Sequence, residues 1–168
     1  MTGTNALLLG LGANLGDPAA QLRQAVARLG RFATVRAVSS LYRSPPEGYA
    51  AQPDFLNVVV WAATAHPPEE VLAEALALER AFGRQRSFPN APRPLDVDLL
   101  AYGDLVRVDP TLTLPHPRLI RRAFVLAPLA EIWPDWRHPV LGRTAAELWR
   151  DLARTAVLQR VGPPPWSP

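Results

Sequence analysis

The feature that most constrains the fold is the order of apolar patterns along the first hundred residues. Four runs have the length and composition of strands, NALLLGLGAN, ATVRAVSSLYRS, FLNVVVWAATA and LDVDLLAYG, because β-branched and alternating apolar residues favour extended chain. Between them, residues 17–30 and 67–83 keep apolar residues at helical spacing, and each segment ends in glycine. The order strand, helix, strand, strand, helix, strand predicts a ferredoxin-like βαββαβ sandwich of the α/β (α+β) class.

The remaining segments extend this prediction. We expect helices to cover one face of the sheet, DLVRV to add an edge strand, and AFVLAPLAEIW and TAAELWRDLA to form additional C-terminal helices. ATVRAVSSLYRS is expected to be one strand, with alternate residues on one face: Val35, Ala37, Ser39 and Leu41. We expect a single domain over residues 1–160, followed by a proline-rich, frayed tail over 161–168.

Composition excludes several classes of enzyme. All 18 basic residues are Arg, and the chain has no Lys and no Cys. A P-loop, a protein kinase and Schiff-base chemistry each need a Lys, and thiolate catalysis or disulfides need Cys. The absence of Cys makes a cytoplasmic protein the expectation. The apolar runs fall short of the roughly 20 residues of a membrane helix, so we expect no contact with membranes. The net charge of +3 is weak evidence for nucleic-acid binding.

Two aspartates in the fourth strand pattern are the strongest chemical signal. Asp96 and Asp98 are two residues apart and therefore share one face of a strand, although Asp is depleted from strands. Arg84, Arg86 and Arg93 precede them, and so many cations beside two carboxylates indicate an anionic ligand. Paired carboxylates suit Mg²⁺, which shares Asp ligands with phosphates, and guanidinium groups clamp phosphate oxygens. The combination predicts phosphoryl transfer.

Other interpretations of this pattern remain open on the residues alone. Alternating polar residues on a solvated strand face would also explain the aspartates. Glycosidases use paired carboxylates, but a glycosidase site gives no reason for the arginines. A ferredoxin-like nucleic-acid-binding module would use the arginines on phosphates, although the aspartates would repel that backbone. A two-metal phosphodiesterase would share the aspartates.

Three further segments carry candidate binding residues. LGLGANLGD departs from the dinucleotide fingerprint, and Gly12 in it would allow close approach of another molecule. QPDFLN places Phe55 and Asn57 on one strand face, an aromatic ring beside an amide that could hold a planar heterocycle. LPHPRLIRRAF places His116 near an arginine cluster and Phe124, so this segment is a second candidate anion contact.

Five ordered motifs resemble the 6-hydroxymethyl-7,8-dihydropterin pyrophosphokinases of folate biosynthesis. The motifs are LGANLGD, SSLYRSPPEGY, QPDFLN, ERAFGRQRSFPNAPRPLDVDLL and LPHPRLIRRAFVLAPL, and the resemblance runs from about residue 6 to residue 136. It implies a ferredoxin-like α/β sandwich that uses two Mg²⁺ ions. It also implies transfer of pyrophosphate from ATP to the pterin hydroxymethyl group, with release of AMP.

The resemblance assigns roles by position. Asp96 and Asp98 resemble the pair that holds both metal ions, and Arg84 and Arg93 resemble loop arginines that close on the reacting phosphates. The nucleotide contacts implied are Glu79, Arg86, His116 and Arg122. The pterin contacts implied are Gly12, Ser44, Pro45, Phe55, Asn57 and Phe124. The partners are then ATP and a hydroxymethyl dihydropterin, with no nucleic acid, and we expect a monomer.

The chain departs from some members of this family in its loops. Asn90 stands where some members have Trp, which makes Phe88 the candidate ring of the catalytic loop. Pro117 replaces a Tyr and Thr111 replaces an Arg of some members. Phe55 keeps the ring of a Tyr found in some relatives.

Overall fold

The computed structural model describes residues 3–84 and 88–166, so Arg86 lies outside the described residues. In chain order the elements are β1 (Asn5–Ala13), α1 (Pro18–Arg28), β2 (Thr34–Val38), β3 (Leu41–Ser44), β4 (Phe55–Thr64), α2 (Pro68–Ala81), β5 (Asp96–Tyr102), β6 (Arg107–Val108), β7 (Thr113–Leu114), α3 (Ala123–Ile132), α4 (Ala145–Ala153) and β8 (Gln159–Gly162). Among the described residues, no helix is both long and apolar enough to cross a membrane.

The main sheet is antiparallel and has the order β5-β1-β4-β3-β8, with β2 also paired to β4. β1 and β4 lie in the middle and pair over nine residues, from Asn5 opposite Thr64 to Ala13 opposite Leu56. Each central strand is rich in Leu or Val, as expected for a strand buried on both faces. Together with α1 and α2, this topology confirms the ferredoxin-like prediction.

Local signals explain where the helices begin and end. Asp17 accepts a hydrogen bond from the backbone N–H of Ala20 at 3.2 Å and so caps α1. Gly83 follows α2 with a φ of 83°, a left-handed conformation that glycine adopts without strain. In α4, Thr144 and Glu147 form a reciprocal capping box.

The two faces of the sheet carry separate apolar cores. On the first face, Leu9 and Val97 pack with residues of α1 and α2 such as Val26 and Leu78. On the second face, the core consists of residues from β1, β4, β5, α3 and α4: Leu8, Val59, Leu100, Leu126 and Leu148 are among them. The expectation that helices cover one face is confirmed for α1 and α2, whereas the additional C-terminal helices pack on the other face.

The structure also differs from three predictions about the sheet edges. The expected single second strand is divided into β2 and β3 at Ser39 and Ser40. The DLVRV segment forms β6, which pairs with β7 in a separate two-stranded ribbon. In the expected frayed tail, Gly162 lies opposite Leu41 in the β3–β8 pairing, and Trp166 packs against the first core. Backbone pairing and an aromatic contact therefore hold this tail as far as residue 166.

Candidate active site

Asp96 and Asp98 lie side by side at the start of β5, on the face opposite the first core. In the β1–β5 pairing, Asp96 is opposite Gly12 and Asp98 is opposite Gly10. Their side chains are 23% and 29% exposed, whereas Val97 between them is buried in the first core. Because neither glycine has a side chain, β1 leaves the space beside both carboxylates open.

Arg84 connects the first aspartate to the end of α2. Its Nη1 atom lies 2.7 Å from Oδ1 of Asp96 and 2.7 Å from Oε2 of Glu79. The same Glu79 oxygen accepts the backbone N–H of Val97 at 2.8 Å, and Glu79 is only 3% exposed. The resemblance implies a nucleotide contact for Glu79. Its observed bonds also fix β5 and Arg84.

Arg122 connects the second aspartate to the loop after β3. Its Nη1 atom lies 3.4 Å from Oδ2 of Asp98, and its Nη2 atom lies 3.0 Å from Oε1 of Glu47. Arg93 approaches the other aspartate, with 4.0 Å between its Nε atom and Oδ1 of Asp96. Each aspartate therefore has at least one guanidinium neighbour drawn from the loops around the sheet.

The residues implied as pterin contacts all line one cleft, which we call the slot. It has an empty volume of about 510 Å³. Asp96, Asp98, Arg93, Arg122 and Glu47 also line it. The predicted contacts among its lining residues are Gly12, Ser44, Pro45, Phe55, Asn57 and Phe124. The structure thus brings together residues of β1, β3, β4 and the start of α3 beside the two carboxylates.

A second opening, which we call the basic cleft, shares both carboxylates with the slot. Its empty volume is about 1120 Å³, and it is lined by the described residues that the resemblance places around the nucleotide and its phosphates: Glu79, Arg84, Arg93, His116 and Arg122. Arg118 and Thr111 also line it. A cleft with four arginines is suited to polyanionic ligands.

The amide of Asn57 has a fixed orientation in the slot. Its Nδ2 atom donates to Oγ of Ser44 at 2.9 Å and to the carbonyl of Tyr42 at 3.2 Å. Its Oδ1 atom lies 3.1 Å from the position that a Cβ on Gly12 would occupy. Asn57 therefore presents a carbonyl acceptor above Gly12, where a side chain on residue 12 would crowd it.

The two arginines beside the slot retain unused hydrogen-bonding capacity. The Arg93 guanidinium lies 4.9 Å from the centre of the Phe55 ring, and that of Arg122 lies 5.3 Å from the centre of the Phe124 ring. Within the described ranges, the Nε atoms of both arginines are buried without a hydrogen-bond acceptor. Buried donors of this kind are costly, and an anionic ligand would satisfy them.

The carboxylates also fit a divalent cation. Burial and the neighbouring charge of Asp96 together raise the pKa of Asp98 to about 7, against the opposing effect of Arg122. A cation bound between the two carboxylates would remove this penalty. The described residues contain no group of three or more metal-ligating side chains. Two carboxylates nevertheless suit Mg²⁺, which keeps several waters and takes phosphate oxygens as further ligands.

Hydrogen bonds between the loops behind the slot were not predicted from the sequence. Asn14 donates to Oε1 of Gln52 at 2.7 Å and accepts the backbone N–H of Arg93 at 2.9 Å. Gln52 donates to the carbonyl of Asn90 at 2.8 Å, so these residues join the loop after β3 to the loop before β5.

Phe88, the candidate ring of the catalytic loop, is 48% exposed. Its ring packs edge-on against that of Tyr49, with 5.1 Å between the ring centres.

We expect the imidazole of His116 to stay neutral from about pH 5 to pH 8 in the ligand-free protein. Burial and the charges of Arg122 and Arg118 together lower its pKa to about 4. Its Nδ1 atom accepts the backbone N–H of Arg118 at 3.1 Å, which fixes the proton on Nε2. Long-range ¹H–¹⁵N spectra recorded against pH would measure this. Unfolding the chain in urea should return the midpoint to about 6.5, whereas a midpoint near 6.5 in the folded chain would contradict the expectation.

Comparison with known proteins agrees with this geometry. Residues 8–134 match the family model of 7,8-dihydro-6-hydroxymethylpterin-pyrophosphokinase (HPPK). The chain is 43% identical to a 2-amino-4-hydroxy-6-hydroxymethyldihydropteridine pyrophosphokinase of Synechocystis sp. over 152 residues, which cover 89% of this chain and 77% of the relative. An enzyme of the same name from Methylorubrum extorquens is 46% identical over 129 residues, 76% of this chain and 82% of the relative.

A solved structure extends the agreement to the fold. The crystal structure of Plasmodium falciparum HPPK-DHPS A437G with SDX-DHP superposes with a TM-score of 0.74 at 16% sequence identity. The match covers 90% of this chain and 46% of that one, so the chain spans about half the length of that structure. The family model spans most of the chain and includes all the motifs around the slot and the basic cleft. The chain belongs to the 7,8-dihydro-6-hydroxymethylpterin-pyrophosphokinase family.

Proposed function

We propose that this chain catalyses the reaction of its family at the junction of the slot and the basic cleft. The reaction transfers pyrophosphate from ATP to 6-hydroxymethyl-7,8-dihydropterin in folate biosynthesis, and it gives the pterin diphosphate and AMP. The observation that carries the proposal is the position of Asp96 and Asp98, which line both clefts. A pterin in the slot and a triphosphate in the basic cleft would therefore meet at these carboxylates.

Asp96 and Asp98 would hold two Mg²⁺ ions in this proposal. Their oxygens form the donor set that a hard cation prefers, and the raised pKa of Asp98 reflects its burial and the neighbouring charge of Asp96, both of which a cation would offset. Bound metal ions would supply Lewis-acid stabilisation of the charge on the transferring phosphates and lower the pKa of the attacking hydroxyl.

The arginines would bind and orient the triphosphate. Arg84 and Arg93 flank Asp96, and Arg122 flanks Asp98, so all three can turn toward phosphate oxygens without leaving the site. The unpartnered Nε atoms of Arg93 and Arg122 support this role. Guanidinium groups stabilise the charge that develops on phosphoryl oxygens during transfer. Arg86 is assigned a nucleotide contact by resemblance alone, and His116 would meet the nucleotide as a neutral donor.

The slot would orient the pterin. The rings of Phe55 and Phe124 offer apolar surfaces to a planar heterocycle, and Asn57 offers its carbonyl to an N–H group on the polar edge. Ser44, Pro45 and Gly12 complete the slot. A pterin bound in this way would have its hydroxymethyl group beside Asp96 and Asp98.

The reaction then needs no covalent intermediate with the protein. A bond forms between the pterin hydroxyl oxygen and the β-phosphorus of ATP, and the bond from that phosphorus to the oxygen bridging the α-phosphorus breaks. AMP leaves with the bridging oxygen, and the hydroxyl proton passes to solvent. Holding the two reactants in line at one site accounts for much of the rate enhancement.

Product analysis tests this proposal. The chain is incubated with ATP, Mg²⁺ and 6-hydroxymethyl-7,8-dihydropterin, and the adenine nucleotides are separated by chromatography. We expect AMP to appear in step with pterin diphosphate and only when the pterin is present. ADP as the product would indicate transfer of a single phosphoryl group, and AMP formed without pterin would indicate a phosphodiesterase.

The family match and the named relatives do not support the nucleic-acid-binding module or the phosphodiesterase. We infer that the protein acts as a monomer in the cytoplasm, since both clefts are lined by residues of one chain and the chain has no Cys that could form disulfides. Sedimentation of the purified chain as a species of about twice its 18.4 kDa would contradict the monomer.

A further inference from the structure

Glu131, near the end of α3, contacts the break between β2 and β3. Val38 is opposite Val60 and Tyr42 is opposite Asn57 in the pairings with β4. Four steps along the β2–β3 segment therefore face three steps along β4, so this segment contains one extra residue. This is a β-bulge, which changes the direction of the strand that follows it.

Several polar groups of the bulge are paired with side chains, although the backbone N–H of Ser39 still donates to the carbonyl of Val59 at 3.0 Å. The Ser39 hydroxyl accepts the backbone N–H of Val59 at 2.9 Å, the place that a strand carbonyl would normally take. Ser40 is 0% exposed, and both of its donors go to Glu131. Its N–H lies 3.0 Å from Oε1, and its hydroxyl lies 2.7 Å from Oε2.

Tyr42 connects the same carboxylate to Asn57, a residue that lines the slot. Its hydroxyl donates to Oε1 of Glu131 at 2.9 Å, and its ring lies on the sheet face that holds Asn57, since the two residues are directly paired. The backbone carbonyl of Tyr42 is one of the acceptors that orient the Asn57 amide. Ser44, two residues on, provides another. The orientation of Asn57 therefore depends on where the bulge places β3.

We propose that Glu131 is a positioning residue for the pterin, because it holds the bulge in the register that aims the Asn57 carbonyl into the slot. The inference rests on the proposed function. Glu131 is absent from the described lining of the slot and of the basic cleft, so it acts through Ser40 and Tyr42. The only ion pair found for it in the described chain is a long one, 3.8 Å to Arg160.

Kinetics with both substrates test this role. Glu131→Ala leaves the donors of Ser40 and Tyr42 without their acceptor, so β3 can shift. We expect the KM for the pterin to rise about tenfold, with the KM for ATP and kcat within about threefold of wild type. A raised KM for one substrate at unchanged kcat means that the ground state and the transition state lose the same binding energy for that substrate. Calorimetry of pterin binding with Mg²⁺ and a nonhydrolysable ATP analogue should show the same tenfold loss.

Two milder variants keep the test valid if Glu131→Ala does not fold. In Glu131→Gln, the amide oxygen can still accept from Ser40 and Tyr42, so the pterin KM should stay within about threefold of wild type. Tyr42→Phe removes one donor and keeps the ring. Its pterin KM should rise about threefold, with the KM for ATP unchanged.

Matched controls separate positioning from lost stability. Arg160→Ala removes the long ion pair and should behave as wild type. Leu148→Ala leaves a cavity in the second core, away from the bulge, and lowers stability without changing the pterin KM. An unchanged pterin KM in both Glu131→Ala and Tyr42→Phe would overturn the proposal, as would equal changes in the two KM values. Absence of pterin turnover and binding in the wild-type chain would instead overturn the proposed function.

Discussion

Alanine at Asp96 or at Asp98 is expected to lower the turnover number at saturating substrates by at least about a thousandfold. Each substitution removes half of the carboxylate pair at the junction of the two clefts, and no other carboxylate in the described part of that junction shares its strand face. Initial rates of AMP formation at fixed Mg²⁺, ATP and pterin measure the effect.

The fold should survive both substitutions. The two side chains are partly exposed, so truncation leaves no large cavity.

A carboxyl whose pKa is raised by folding binds more protons in the folded chain, so the stability it contributes falls as pH rises from about 4 toward 7. The pKa of Asp98 is raised to about 7. Above that pH, Asp98→Ala should therefore melt no lower than wild type, whereas Asp96→Ala loses the contact with Arg84.

Asp151→Ala is the matched control. Asp151 is an exposed carboxylate on α4 that forms a 2.6 Å ion pair with Arg143, just before the helix. It lines neither the slot nor the basic cleft. We expect its turnover number to equal that of wild type. Near-normal turnover in either Asp96→Ala or Asp98→Ala would contradict the metal-binding role proposed for that residue.

Glu79→Ala is expected to be the most destabilising single change near the site. The substitution removes the acceptor of the Val97 N–H and one partner of Arg84, at a position only 3% exposed. Breaking a buried, hydrogen-bonded ion pair from one side costs about 3–5 kcal/mol. For a chain of this length, that lowers the thermal midpoint by roughly 10 °C. Circular dichroism or calorimetry would measure the shift.

A control for this change lies on the same helix. Glu69, in the first turn of α2, pairs with Arg107, but its side chain is 60% exposed. Exposed ion pairs contribute little, so Glu69→Ala should leave the midpoint nearly unchanged. If Glu79→Ala melts like Glu69→Ala and only raises the KM for ATP, the nucleotide contact implied by the resemblance is correct and the structural role is wrong.

The elements of the fold were predictable where local pattern and local signals agree. The alternating and β-branched runs gave β1, β4 and β5, and Asp17 with Pro18 marked the start of α1. The two-residue spacing of Asp96 and Asp98 was enough to place them together. These predictions depend only on backbone geometry and on neighbours within one turn or one strand.

Features that depend on distant partners were not predictable in the same way. The bulge at Ser39 and Ser40 is stabilised by Glu131, about 90 residues away, and nothing in SSLYRS marks it. The face that α3 and α4 cover depends on tertiary packing, since an apolar helix can pack on either side of a sheet. β8 pairs with the side of β3 that faces away from β4. Its sequence does not predict this pairing, because a four-residue polar segment has little strand propensity.

The same division applies to the site. Motif resemblance located the lining of both clefts, but the buried position of Glu79 and the bracing bonds of Asn14 and Gln52 came only from the structure. Glu47, which pairs with Arg122, lies in a loop without periodicity. Polar loop residues gain their roles from tertiary contacts, so sequence spacing gives no signal for them.

The most direct measurement follows the phosphates themselves. Two parallel reactions use ATP labelled with ³²P in the α or the γ position, with Mg²⁺ and 6-hydroxymethyl-7,8-dihydropterin, and the products are separated by thin-layer chromatography. Pyrophosphoryl transfer places the γ label in the pterin diphosphate and the α label in AMP, in equal amounts. Release of the γ label as inorganic phosphate or free pyrophosphate, with no labelled pterin, would contradict the proposed reaction.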